Sequence, residues 1–169
     1  MNYKMYDEMM EQPDSLRRTF ASEMSKMDSV SEAVSKADKI YLIGCGSSIS
    51  TCYSVRDALR MSCDMSVEVF TGYEFYYNKK LTIFTSQSGE TADTLASLKR
   101  ANEYGIHTVS ISNEPDSSMI KEAKTPIITQ CERETAILGT KTYVTQLACL
   151  YQILFKGSNY GKAEELLGD

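Results

Sequence analysis

The stretch Leu81-Thr-Ile-Phe-Thr-Ser-Gln-Ser-Gly-Glu-Thr-Ala-Asp-Thr-Leu95 narrows the available folds more than any other part of the chain. A short apolar run passes through small hydroxyl residues and one glycine into a helical pattern, which predicts strand, tight turn and helix in succession. The same succession occurs earlier. Lys39-Ile-Tyr-Leu-Ile-Gly44 reads as a buried strand, and Gly44-Cys-Gly-Ser-Ser-Ile-Ser50 opens a helix reaching towards Met61. Further apolar runs at Ser66–Phe70, Ile106–Ser112 and Pro126–Gln130 are spaced by helical or turn-forming segments. Strands alternating with helices predict a parallel sheet joined by right-handed crossovers.

The expected fold is therefore α/β, a three-layer sandwich around a five-stranded parallel sheet in the flavodoxin-like order 2-1-3-4-5. That order sets strands 1 and 3 side by side, and open α/β sheets bind ligands beyond the carboxyl ends of strands where the order reverses. Both Ser-rich turns follow those two strands. Each turn leaves unpaired N–H groups at a helix N-terminus, where the dipole also favours an anion. Ser86, Ser88 and Thr91 add hydroxyls, Gln87 adds an amide, and Gly89 admits close approach of the backbone. The turn holds no lysine or arginine, so a phosphate there would rest on neutral donors. An ordinary Ser-rich helix cap is the competing reading, since Ser and Thr favour caps. Convergence of two such turns favours a phosphate pocket. A dinucleotide fingerprint is not supported, because its third glycine position holds Ile49.

Ser86-Gln-Ser-Gly-Glu-Thr-Ala-Asp-Thr94 resembles the phosphate-binding segment of the sugar isomerase (SIS) domain, in particular the isomerase half of the glutamine–fructose-6-phosphate aminotransferases. Gly44–Ser50 resembles that family's first glycine-serine loop. Glu11-Gln-Pro13, Ser112-Asn-Glu-Pro-Asp-Ser-Ser118 and Glu134-Thr-Ala-Ile-Leu-Gly-Thr-Lys-Thr-Tyr-Val-Thr-Gln-Leu147 follow the same pattern, so the resemblance runs from near Glu11 to near Tyr151. It implies a phosphosugar-binding domain of an isomerase, aminotransferase-type or deaminase protein of amino sugar metabolism, taking a hexose 6-phosphate. The alternative is a non-catalytic phosphosugar-binding regulatory module.

The resemblance implies phosphate contacts from Ser47, Ser48, Ser86, Gln87, Ser88 and Thr91. A sugar-contacting glutamate falls on Glu134, and a backbone contact to the sugar falls on Ile137. A hydroxyl expected beside the Thr-Lys pair is replaced by Gly139. Aldose–ketose isomerisation needs a carboxylate to carry a proton between C1 and C2, which makes Glu134 the candidate catalytic residue. Glu90 reads instead as a helix-terminus charge, and His107, at the start of a strand, as structural or solvent-facing. In the two-domain relatives the base and the ring-opening histidine belong to a second SIS domain and its tail, beyond the present sequence. The implied partners are a phosphorylated sugar and either a second SIS domain or a homodimer mate, for which the tyrosine-rich stretch Tyr73–Tyr77 is available.

Composition sets the remaining bounds. A chain of 169 residues with 42% hydrophobic and 24% charged residues suits one globular domain. A net charge of -5 and the absence of a basic stripe argue against nucleic acid. The N-terminus lacks the apolar core of a signal peptide, and no apolar run approaches the roughly 20 residues that span a bilayer. A cytoplasmic location is expected. Five scattered cysteines without a Cys-x-x-Cys pair suggest reduced thiols, and a single histidine gives poor support for a metal site. No cofactor is expected. The predicted organisation is a helical segment over 1–37, a phosphosugar-binding domain over 38–156, and a linker or tail over 157–169. Within the first segment, Pro13 marks one helix start, and Ser29–Ala37 reads as a separate short amphipathic helix. The last long helix is expected from Ile137 to Phe155, turning Tyr143, Leu147, Leu150, Tyr151 and Leu154 to the core.

Overall fold

The computed structural model describes residues 4–62, 65–72, 81–135 and 139–158. Strands β1 (Ile40–Ile43), β2 (Val67–Phe70), β3 (Leu81–Ser86), β4 (Thr108–Ser112) and β5 (Thr125–Ile128) form one sheet in the order β2-β1-β3-β4-β5. Every pairing is parallel, and the register sets Ile43 beside both Phe70 and Phe84. The expected order is thus the observed one. Helices α1 (Lys4–Met10), α2 (Gln12–Ser35), α3 (Ser47–Ser62), α4 (Ala92–Glu103), α5 (Ser118–Glu122) and α6 (Lys141–Gly157) complete the layers.

Alternation along the buried strands divides the core in two. Ile40, Leu42, Leu81, Ile83, Val109, Ile111 and Ile127 pack with Met27, Val30 and Val34 of α2, Val55 and Leu59 of α3, and Leu150, Ile153 and Leu154 of α6. Tyr41, Ile43 and Phe84 turn to the other face, against Leu98 and Ala101 of α4 and Met119 of α5. Each such fully buried aliphatic side chain contributes about 1.5–3 kcal/mol relative to exposure. The α2–α6 contact is close. A Cβ on Gly157 would lie 2.6 Å from Val34 Cβ and 2.7 Å from the Ser31 carbonyl, so the bare glycine lets the two helices meet.

Two helix expectations need correction. Ser29–Ala37 is not a separate helix: α2 runs unbroken from Gln12, with Pro13 in its first turn where the missing N–H costs nothing. Its N-terminal half escapes the apolar pattern because its buried face carries Ser15, Thr19 and Glu23. These are satisfied locally or by the sheet. Ser15 Oγ donates to Glu11 O (3.0 Å), Thr19 Oγ1 accepts from Gln130 N (2.8 Å), and Glu23 pairs with Lys26 (2.8 Å). The last helix begins at Lys141 rather than Ile137, with Thr140 as its N-cap. Leu150 and Leu154 are buried as expected, but Tyr143, Leu147 and Tyr151 are half-buried, and Thr142, Thr145, Gln146 and Cys149 take the inner positions.

Candidate functional site

The β3–α4 turn is shaped by its own hydroxyls. Ser86 Oγ, buried, accepts from Gly89 N (3.1 Å) and lies 3.1 Å from Thr91 Oγ1. Gly89 takes φ +65°, which a side chain resists. Ser88 is exposed, and its Oγ accepts from Glu90 N (3.2 Å). Thr91 is the N-cap of α4, yet its side chain makes no bond to the first-turn amides. That helix start is thus left without a side-chain cap, although Thr is a residue that normally supplies one.

The β1–α3 loop lies beside it. Buried Thr85 joins the two, its Oγ1 3.2 Å from Ile43 O and 3.4 Å from Ser48 O. Ser47 is exposed at the first position of α3, whereas the Ser48 side chain is buried.

Glu134 ties a third helix to this end of the sheet. Its Oε1 accepts from Thr140 N (2.7 Å), Lys141 N (2.6 Å) and Thr140 Oγ1 (3.2 Å), at the N-terminus of α6. Its Oε2 accepts from Thr142 Oγ1 and from Gln87 Nε2 (3.1 Å). One carboxylate therefore caps α6 and holds the amide of the β3–α4 turn. Gly139 completes the contact. A Cβ there would stand 3.6 Å from Glu134 Oε2 and 3.7 Å from Ser47 Oγ. Ser47, Gln87 and Glu134, drawn from three loops, are brought to one place.

Asn113 supports the arrangement from β4. Its Oδ1 accepts from Thr129 Oγ1 and Cys131 N, both at 3.1 Å, and its Nδ2 donates to Glu132 O at 2.8 Å. A cleft of about 430 Å³ beside the turn is lined by Ser88, Glu90, Glu114, Asp116, Ser117 and Arg133. Glu90 Oε1 accepts from Ser118 N (2.6 Å), and this bond holds the carboxyl below its ordinary range. It is a helix-terminus charge, serving α5. His107 precedes β4 and so lies at the opposite edge of the sheet, with Nε2 3.1 Å from Thr125 Oγ1. Ile137 and Tyr73–Tyr77 lie outside the described residues. Among the described residues no group of three His, Cys, Asp or Glu side chains is placed to hold a metal, and no helix is long and apolar enough to cross a membrane.

Sequence reasoning missed the part played by Thr140, Thr142 and Asn113. Glu134 caps α6 from six residues ahead of the N-cap, outside the spacing of a capping box, so no local signal marks it.

The model of the SIS domain matches residues 33–156. The glutamine–fructose-6-phosphate aminotransferase [isomerizing] of Bacillus subtilis is 36% identical over 158 residues, covering 86% of this chain and 26% of that protein. The chain thus spans about a quarter of the length of the curated relatives it matches. The C-terminal domain of glucosamine-fructose-6-phosphate aminotransferase from Francisella tularensis superposes with a TM-score of 0.80 at 24% identity, over 96% of this chain and 49% of that one. A putative sugar-phosphate isomerase from Listeria monocytogenes gives 0.78 at 17% identity, covering 100% of both chains. The matched segment covers most of the chain and includes the whole sheet, and this chain belongs to the SIS domain family.

Proposed function

We propose that this chain binds a hexose 6-phosphate of amino sugar metabolism at the carboxyl edge of its sheet. The observation that carries the reading is the meeting of Glu134, from the loop after β5, with Ser47 and Gln87, which follow the adjacent strands β1 and β3, around Gly139. The phosphate is assigned to exposed Ser88, to Ser47 and Thr91, and to the start of α4, which lacks a side-chain cap. Ser86, Gln87 and Ser48 shape the pocket from beneath. Glu134 is assigned to the sugar side, and the family resemblance adds a backbone contact from Ile137. The isomerizing glutamine–fructose-6-phosphate aminotransferases among its relatives support this substrate class.

Proton transfer between C1 and C2 is assigned to Glu134 only as a conditional role. Its two oxygens already accept from Thr140, Lys141, Thr142 and Gln87, and a base needs a lone pair directed at the substrate. The same saturation favours the second reading, a binding module without turnover. Aldose–ketose activity that survives Glu134→Gln would remove Glu134 as the base. The proposed organisation is a phosphosugar-binding domain over 38–156, carrying a helical segment over 1–37 and a tail over 157–169. It acts in the cytoplasm, paired with a second SIS domain or a second copy.

The test is calorimetric titration with glucosamine 6-phosphate and fructose 6-phosphate against the unphosphorylated sugars, in wild type and Ser88→Ala. A hydroxyl donating to a charged phosphate is worth about 1.5–3 kcal/mol, so Ser88→Ala should weaken the phosphosugars about tenfold or more and leave the neutral sugars unchanged. Equal losses for both classes would refute the assignment.

A further inference from the structure

We infer that the N-terminal helices belong to the binding site, with Glu8, Glu11 and Arg18 acting as positioning residues for the segment that carries Glu134. The inference rests on the phosphosugar reading above and adds the elements that hold the site in place.

The described part of the segment from Thr129 to Thr140 has no strand or helix of its own. Glu132 sits in the left-handed region at φ 57°, a conformation that a non-glycine residue keeps only when its surroundings enforce it. Asn113 holds one side of this turn, at Cys131 N and Glu132 O, and the N-terminal helices hold the other. Arg18 Nε and Nη2 both donate to Gln130 O, at 3.1 and 3.0 Å, and Nη2 lies 3.6 Å from Glu132. Beyond Glu132, Glu8 Oε1 accepts from Thr135 N (2.6 Å) and Thr135 Oγ1 (3.0 Å). At the far end Lys141 Nζ meets Glu11 Oε2 at 2.5 Å.

Burial separates the Glu8 and Lys141 contacts from ordinary surface pairs, whereas those of Arg18 are exposed. The Lys141 side chain is 2% exposed, and Glu8 is 6% exposed. A buried ammonium or carboxylate holds its partner closely, because the unpaired state is strongly disfavoured. Glu134 lies between the part of the chain held by Arg18, Gln130 to Glu132, and Thr135 held by Glu8, and turns its own carboxylate to α6 and Gln87. Helices α1 and α2 therefore fix Glu134, and through Gln87 the β3–α4 turn. Lys141 points into this anchor, away from any ligand role.

The test measures amide exchange and glucosamine 6-phosphate affinity in the full chain, for wild type, Glu8→Ala, Glu8→Gln and Lys141→Met. Lys141→Met replaces the buried cation with an apolar side chain of similar length and leaves Glu11, which is half exposed, to be hydrated. The expected result is affinity weaker by about tenfold or more in Glu8→Ala and Lys141→Met. Glu8→Gln keeps an acceptor oxygen for Thr135 and stays within about threefold of wild type. Exchange at the Thr140 and Lys141 amides accelerates in the two weakened variants, while Ile83 and Val109 in the sheet keep their protection. Wild-type affinity in both Glu8→Ala and Lys141→Met overturns the inference, as does equal acceleration in the sheet. If the wild-type chain binds no phosphosugar, the site reading fails, and unchanged protection at Thr140 and Lys141 then overturns the positioning claim separately.

Discussion

Replacing Gly89 by alanine separates two costs that the β3–α4 turn imposes. The first is conformational, because φ is +65° and an L side chain there costs about 1–2 kcal/mol. The second is spatial. A Cβ on Gly89 would lie 2.6 Å from Ser117 Cβ and 2.7 Å from Ser112 Oγ, both buried and so unable to retreat without moving backbone. Overpacking of this kind adds about 1–3 kcal/mol. Gly46, in the β1–α3 loop, supplies the control, with φ +56° and nothing within 4 Å of its would-be Cβ. Gly46→Ala should therefore cost about 1–2 kcal/mol, and Gly89→Ala about 2–5 kcal/mol. At roughly 2–4 °C per kcal/mol for a chain this size, the midpoints should fall by roughly 2–8 °C and roughly 4–20 °C respectively. Urea unfolding followed by far-ultraviolet circular dichroism, with both variants at equal m-value, gives the difference directly. Equal losses would refute the packing argument, and losses below about 0.5 kcal/mol in both would refute the left-handed backbone itself.

Three further outcomes follow from groups around the sheet. Burial of the imidazole, then the charge of Lys124, holds His107 below its ordinary value of 6.5. The unfolded chain takes up that proton first as pH falls, so this stabilisation is full above 6.5 and is lost below it; His107→Gln should flatten stability over that limb and leave phosphosugar affinity unchanged. The Ser118 N–H holds Glu90 below 4.5, so its contribution is full above 4.5 and disappears as pH falls through the lower folded value. Protection of the Ser118 amide, taken relative to its intrinsic exchange rate, should fall on that acid limb in wild type, and Glu90→Gln should remove that loss. Cys45 is exposed near Ser47, whereas Cys52, Cys131 and Cys149 are buried and burial pushes the Cys52 thiol up to about 11. Peptide mapping after native thiol labelling should find Cys45 modified ahead of those three, and saturating glucosamine 6-phosphate should slow it; an unchanged rate would place the sugar elsewhere.

The parts of the fold legible in the sequence are those where side-chain chemistry and burial agree. Ile40–Ile43 and Leu81–Ser86 are fully buried strands, and their apolar runs say so. Ser- and Gly-rich segments after them are turns, since nothing else satisfies that backbone. Legibility fails where polar residues face inward. Ser15, Thr19 and Glu23 on the buried side of α2 erase the 3.6-residue pattern, so one long helix reads as a start at Pro13 and a separate helix over Ser29–Ala37. The inner side of α6 carries Thr142, Thr145 and Gln146, so its stripe is misassigned to Tyr143 and Leu147. Within the site, the serine turns are local and readable. The bonds that join them are not, because Gln87 meets Glu134 and Glu8 meets Thr135 only after the chain has folded.

Those long spans set an order of assembly. Helix α2 leaves the ribosome before α6, and Met27, Val30 and Val34 find their cover against α6 only when Lys141–Gly157 has also emerged. Contacts of such separation slow folding, and synthesis delivers the first partner long before the last. During that interval the apolar side of α2 stays uncovered and the loop around Glu134 has no capped helix to hold. The nascent chain completes its pocket only when α6 docks, and until then α2 is the surface on which a chaperone would take hold.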